Sequence, residues 1–361
     1  MADQEQNDIV ETLLLPFENQ LEWPGTALFL RARDGIALHR RDLSGLVCEQ
    51  TFKPHADELS HAGLSVERQV ERTFPLVLVL PPRQREESRA LLARALKLTA
   101  PGGLIAACQH NNEGARSMET DLAQLSGPVS TLSKHRCRVA WTAPVNGPAD
   151  AQLFEQWLAL DAPRPIAGGS FISRPGLFAW DRIDPASLLL AAHLPRDLSG
   201  RAADLGAGFG FLSAELLTRC PKISSLDLYE AEARALDLAK QNLKPFEARI
   251  TPSYHWHDVG SGLDQTYDVI VTNPPFHTSD RLDRPDIGRR FISVAAQSLR
   301  SRGRLWLVAN RHLPYEDILN ESFGEVRQVA TERGYKVIEA IKGSDAKAAP
   351  TRDRKFRLQR F

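Results

Sequence analysis

The stretch Arg201-Ala-Ala-Asp204-Leu-Gly206-Ala-Gly208-Phe-Gly210-Phe-Leu212 decides how this 361-residue chain is read. An apolar strand runs into Asp204, three glycines follow at alternate positions, and Phe211–Thr218 has the spacing of a helix. Glycine accepts positive φ and lets a ligand approach the main chain closely. In an open α/β sheet such a turn lies at the carboxyl ends of the strands, where ligands bind. A nicotinamide fingerprint, Gly-x-Gly-x-x-Gly, would need glycine at position 211; Phe211 stands there instead.

Working outward, Ile223–Tyr229 is expected to be the second strand, with Glu230 at its end. A carboxylate there can accept both hydroxyls of a ribose. Asp227, on the same strand, is expected at an edge or facing solvent. Tyr254-His-Trp-His257 reads as the third strand, and Asp258 behind it could accept from an adenine amino group. The next strand, Asp268-Val-Ile-Val-Thr, ends in Asn273-Pro274-Pro275-Phe276 at the same carboxyl edge. An aromatic amine is a poor nucleophile because its lone pair is delocalised into the ring. The Asn273 side-chain oxygen and the Pro274 carbonyl are acceptors suited to both of its N–H groups. The prolines fix the turn, and Phe276 can stack on a base.

The same order of elements occurs twice. Leu76-Val-Leu-Val-Leu80-Pro81-Pro82 is a strand ending in a double proline, Ser88–Leu98 is helical, and Gly102–Cys108 reads as a strand after a glycine turn. Val129–Leu132 and Arg138–Thr142 resemble the antiparallel pair expected at Glu325–Ala330 and Tyr335–Ile341. Pro81 to Pro274, Gly102 to Gly303 and Val129 to Val326 are offset by 193, 201 and 197 residues. In the first copy Leu80 replaces Asn273, Arg83 replaces Phe276, and no Asp-x-Gly-x-Gly turn precedes Leu76. That copy is expected to be a degenerate repeat serving support and substrate recognition. The expected division is 1–150 for the degenerate domain, 166–345 for the catalytic one and 346–361 for a basic tail, with a short helix near Ala151–Leu160 in the connection.

The Gly-x-Gly-x-Gly turn preceded by an acid resembles the cofactor loop of class I methyltransferases. The two halves together resemble the bacterial ribosomal RNA small-subunit guanine-N2 methyltransferase family. The likeness is carried by Pro175-Gly-Leu-Phe178, Ile183-Asp184, Asp204-Leu-Gly-Ala-Gly208, Asn273-Pro-Pro-Phe-His277, Val308-Ala-Asn310, Leu313-Pro-Tyr315 and, in the first half, Asn111-Asn-Glu-Gly-Ala-Arg-Ser117. It implies an α/β protein of two tandem Rossmann-like class I methyltransferase domains. It implies S-adenosyl-L-methionine as cofactor, with Asp204, Gly206, Gly208, Gly210, Glu230, Asp258 and Asn273 around it. Asn273, Pro274 and Phe276 would hold a guanine amine; Asp184 and Phe178 would close over the cofactor, if they are not a helix cap and a core ring. The implied partner is ribosomal RNA or the small ribosomal subunit. A large-subunit RNA substrate, DNA adenine, a protein glutamine, or a non-catalytic role in assembly are the alternatives.

Composition fits that reading. Lysine plus arginine and aspartate plus glutamate both number 45, so polyanionic RNA must meet a local patch rather than a basic coat. Two patches qualify: eight arginines against three aspartates between Asp280 and Arg311, and seven basic against two acidic residues from Lys342 to Phe361. No apolar run reaches the ~18 residues of a membrane span, and the acidic N-terminus is unlike a signal peptide. Cys48, Cys108, Cys137 and Cys220 have neither metal-ligand nor disulfide-framework spacing. A cytoplasmic monomer is expected.

Overall fold

The computed structural model describes residues 2–275 and 285–344. Phe276, His277 and the basic tail lie outside the described residues. In the first half, β1 (Ala27–Leu30), β2 (Leu46–Glu49), β3 (Ser65–Glu67), β4 (Phe74–Val79), β5 (Thr99–His110), β6 (Val129–Lys134) and β7 (Cys137–Thr142) form one sheet. Its order is 3-2-1-4-5-7-6, parallel throughout except for β7, which runs against both β5 and β6. A short antiparallel pair, β8 (Arg164–Ile166) and β9 (Phe171–Ser173), follows. Then β10 (Ser199–Leu205), β11 (Lys222–Glu230), β12 (Ser253–Trp256), β13 (Tyr267–Thr272), β14 (Leu299–Asn310), β15 (Glu325–Glu332) and β16 (Tyr335–Ile341) build a second sheet of identical order and direction, 12-11-10-13-14-16-15. No helix among the described residues is long and apolar enough to cross a membrane.

The central strands are apolar on both faces because helices cover both. Alternate residues sort accordingly. Ala202, Val269, Val271 and Trp306 pack with Leu190, Leu216 and Leu217 on one side. Ala203, Leu205, Ile270 and Leu305 pack with Phe291, Ile292 and Ala295 on the other. The helix Ala151–Leu158, expected within the connection, lays Trp157 into the first half's core, with the Arg89 guanidinium 4.7 Å from its ring centre.

Strand register matches the halves residue by residue. Leu30 pairs with Val79 as Leu205 pairs with Thr272, so Arg31 corresponds to Gly206 and Leu80 to Asn273. Leu30 pairs with Glu49 as Leu205 pairs with Tyr229, so Gln50 corresponds to Glu230. Arg31 even keeps the left-handed backbone of its counterpart, φ 52° against 73° at Gly206. One expected match moves by a residue. Gly102 is not a turn before a strand but a left-handed kink within β5, and its counterpart is Arg302, at φ 77° and 62°. Gly103 corresponds to Gly303, because Leu76 pairs with Leu104 as Val269 pairs with Arg304. A Cβ there would stand 2.8 Å from the Pro75 carbonyl oxygen in the first copy and 3.2 Å from that of Tyr267 in the second.

The two halves touch through equivalent loops. Phe52 and Glu232 form an isolated antiparallel bridge. Lys53 N donates to Ala231 O (2.8 Å) and Ala233 N donates to Thr51 O (2.9 Å). Residue 52 stands to Gln50 as 232 stands to Glu230, so the bonded segments are related by a local pseudo-dyad. Beside them Arg68 lies 5.3 Å from the Trp256 ring centre, again at matched positions one residue past Glu67 and His255.

Candidate active site

Because β10 lies between β11 and β13, with Leu205 level with both Tyr229 and Thr272, three chain exits converge at one edge of the sheet. They are the turn beginning at Gly206, the acid Glu230 and the side chain of Asn273. This is where the strand order reverses and ligands of such sheets bind. A cavity of about 320 Å³ opens there, within the size range of small-molecule sites. Gly206, Ala207, Gly208, Glu230, Asn273, Asp184 and Phe178 are on its wall.

The turn is built from main-chain bonds. Gly206 N and Ala207 N both donate to Tyr229 O, at 2.9 and 3.1 Å. Gly208, at φ 54°, would place a Cβ in open space, so its backbone faces the cavity bare. Its N–H donates to Glu230 Oε2 at 2.7 Å, while Glu230 Oε1 accepts from Glu232 N at 2.8 Å. Burial pushes the Glu230 carboxyl above its ordinary range, against the lowering effect of these two N–H groups. Gly210, by contrast, heads the helix Phe211–Arg219 and faces Ala239, where a Cβ would come within 3.2 Å.

Asp204 is wholly buried beneath the turn rather than on the cavity wall. Its Oδ2 accepts from Ser213 Oγ at 2.8 Å, and Oδ1 has no partner among the described residues. Burial pushes its carboxyl up to about 7. Asp258 is also away from the wall: its Oδ1 accepts from Gly260 N at 2.8 Å and caps the turn Val259–Ser261. Asp227, expected at an edge or in solvent, is buried. It accepts from Tyr267 Oη at 2.6 Å, in a chain that continues to Tyr229 Oη at 2.7 Å. An apolar interior tolerates that carboxylate because it is hydrogen-bonded and lies 3.7 Å from Arg201.

The Asn273 amide is held through its nitrogen. Its Nδ2 donates to Asp184 Oδ2 and to Ser187 Oγ, both at 2.9 Å. A carboxylate only accepts, so the NH₂ side of the amide must face Asp184. Asp184 in turn caps the helix Pro185–His193, its Oδ2 accepting from Ser187 N at 2.8 Å, with Pro185 in the first turn. The Asn273 Oδ1 is left buried with no partner among the described residues. Pro274 is buried behind it. Phe178 projects from the wall and is 67% exposed.

Among the wall residues not anticipated are Ser187, Glu232 and Phe52. Ser187 had a sequence signal, since Asp184-Pro-Ala-Ser187 is a helix start. Glu232 and Phe52 had none, because a contact between loops 180 residues apart leaves no local pattern. The residues present fit a nucleoside cofactor: a bare glycine backbone, an acid at the end of the second strand of the sheet and an orphan acceptor on the same wall.

These features define a class, the small-domain methyltransferases, and residues 168–339 match the family model described as "Methyltransferase small domain". Relatives extend the match over both halves. A ribosomal RNA small subunit methyltransferase C of Psychromonas ingrahamii is 31% identical over 76% of this chain and 77% of its own. That of Shewanella pealeana is 30% identical over 75% and 79%. The chain belongs to the ribosomal RNA small subunit methyltransferase C family. A solved T. thermophilus 16S rRNA N2 methyltransferase, in complex with AdoMet and guanosine, shares the fold: TM-score 0.75 over 92% of this chain and 91% of that one, at 24% identity.

Proposed function

We propose that this protein transfers a methyl group from S-adenosylmethionine to the exocyclic N2 amine of a guanine in 16S ribosomal RNA, in the cytoplasm where that RNA resides. The observation that carries the reading is the fixed Asn273 amide, whose Oδ1 is an unpaired buried acceptor on the wall of a cavity shared with Glu230 and the glycine turn. Relatives of the same family bear the corresponding name.

The cofactor, when bound, supplies an electrophilic methyl group. The chain's residues prepare its acceptor. Asn273 Oδ1 takes one N–H of the amine and the Pro274 carbonyl the other, which draws the nitrogen toward a tetrahedral shape and exposes its lone pair. Phe276 is the stacking surface for the base. Asp184 and Ser187 hold the Asn273 amide in the only orientation that presents an acceptor. Glu230 receives the ribose hydroxyls, and Gly206 and Gly208 line the cofactor. Asp204, Gly210 and Asp258 act through the turns they brace. The methylated amine sheds its proton to solvent, so a strong base is unnecessary.

The first domain is proposed to bind no cofactor. Arg31 stands where Gly206 would be, Gln50 where Glu230 would be and Leu80 where Asn273 would be. The Gln50 amide keeps the local bonding, accepting from Phe52 N at 2.9 Å, but donates to Ala32 O at 2.7 Å instead of presenting a carboxylate.

The test is transfer of labelled methyl from S-adenosylmethionine to 16S RNA, naked and in small subunits, followed by nucleoside analysis. N2-methylguanosine is expected. Asn273→Ala should lower kcat roughly 10²–10³-fold, as removal of a positioned acceptor or donor does, with cofactor Kd within threefold of wild type. Methyl on another nucleoside, on large-subunit RNA only, or no cofactor binding by the wild type would overturn the reading.

A further inference from the structure

We infer that the first domain supplies part of the cofactor-binding wall of the second, through the ring of Phe52, and that the adenosine end of S-adenosylmethionine packs against it. This rests on the proposed cofactor reading and goes beyond it, because a domain without a cofactor site of its own is otherwise left with support and RNA recognition.

The backbone places Phe52 with little freedom. Bonds from Lys53 N to Ala231 O and from Ala233 N to Thr51 O zip residues 51–53 onto 231–233, the turn that immediately follows Glu230. Trp256 Nε1 reinforces the seam by donating to both Thr51 O (2.9 Å) and Ala231 O (2.8 Å). Phe52 is therefore delivered to the β11 side of the cavity, where Glu230 and Glu232 lie, and away from Asn273 on the β13 side. Although it belongs to a folded seam, Phe52 is 38% exposed and lines the cavity, with the His55 ring 5.2 Å from its own between centres. Ligand pockets are walled by apolar and aromatic side chains around a few fixed polar groups. Phe52 beside Glu230 matches that arrangement for a nucleoside, whose base is flat and apolar and whose ribose is polar.

A side chain also crosses the seam in the other direction, although it is not the pseudo-dyad mate of Phe52. Where Phe52 crosses into the second domain's site, Arg234 crosses the other way. It is held by Glu232 Oε1 at 2.9 Å and donates to Glu87 Oε1 of the first domain at 2.8 Å. Arg31, which stands in the place of a turn glycine, lies near this pair: burial pushes its guanidinium down, and the charges of Glu87 and Arg234 act on it in opposite directions. One half of the seam fills an abandoned site and the other half completes a working one.

Calorimetric titration with S-adenosylmethionine and S-adenosylhomocysteine tests this on the full chain. Phe52→Ala is expected to weaken both about tenfold, within the range for loss of an aromatic stack against a base. Phe52→Tyr, which keeps the ring, should bind within twofold of wild type, and Phe52→Leu should fall between. Ile36→Ala, an exposed apolar side chain of the first domain outside the cavity, should change nothing. If Phe52→Ala fails to fold, the Tyr and Leu variants decide: equal affinity in both overturns the inference. Equal affinity of Phe52→Ala and wild type also overturns it and leaves the methyltransferase reading standing. Absence of binding by the wild type itself would instead sink that reading.

Discussion

Asp204→Asn makes the buried acid beneath the glycine turn a measurable quantity. The carboxyl is wholly buried, and burial raises it from an ordinary 3.8 to about 7 despite the bond from Ser213. In the unfolded chain it ionises near pH 4. Between about pH 4 and pH 7 the folded protein therefore holds more protons than the unfolded one, and stability falls as pH rises. Above about 7 both states are ionised and the deficit is complete. A shift of roughly three units, at 1.36 kcal/mol each, amounts to about 4 kcal/mol at saturation, of which roughly 2–3 kcal/mol develops between pH 5 and pH 8. Asparagine keeps an oxygen for Ser213 and cannot ionise. Urea denaturation of both proteins, followed by tryptophan fluorescence at pH 5, 6, 7 and 8, isolates the effect, because every other titrating group is common to the pair. Wild type should lose ground to the variant steadily from pH 5 to about 7 and then run level with it. A difference between the two that is constant across this range would refute the argument from burial.

Two further substitutions probe the braces of the site and of the first domain. Asp184→Ala removes a helix cap, costing about 1 kcal/mol of stability, and frees the Asn273 amide to turn. We expect kcat to fall at least tenfold with cofactor Kd within threefold, and unchanged kcat would dismiss the orienting role. In the first domain Glu49 accepts from Arg94, with Nη2 at 2.6 Å, and from Val70 N at 2.8 Å. Arg94→Met strands that buried carboxylate and should cost about 3–5 kcal/mol, read as a lowered urea midpoint; a loss under 1 kcal/mol would show that the pair is not structurally needed.

Much of this was legible in the sequence because it is local. Apolar runs ending in Asp204, Tyr229 and Asn273 specify parallel strands, and glycines at 206, 208 and 210 specify a turn whichever fold surrounds them. The repeat was visible for the same reason, although Gly102 was matched where Gly103 belongs. A left-handed kink and a close backbone approach fall on adjacent residues there, and Arg302 hides one of them in the second copy. What escaped depends on partners distant in the chain. Asp227 reads as a surface acid, and its burial is accounted for by Tyr267, 40 residues on, and Arg201, 26 residues back. The order of acids brought Asp258 toward the cofactor; in the fold its Oδ1 accepts from Gly260 N, two residues on, and it is not on the cavity wall. Phe52 carries no signal at all, since nothing near it in sequence predicts that its loop meets residue 232.

The seam between the halves is written in main-chain N–H and C=O groups at residues 51, 53, 231 and 233. Such bonds are indifferent to side chains; only proline at 53 or 233 would delete a donor. Homologous chains are therefore free to change every one of these residues and keep the joint, and a comparison of aligned letters would score it as unconstrained. The joint constrains evolution by length instead: inserting or deleting one residue between Gln50 and Lys53, or between Glu230 and Ala233, would put the wrong side chain on the cavity wall.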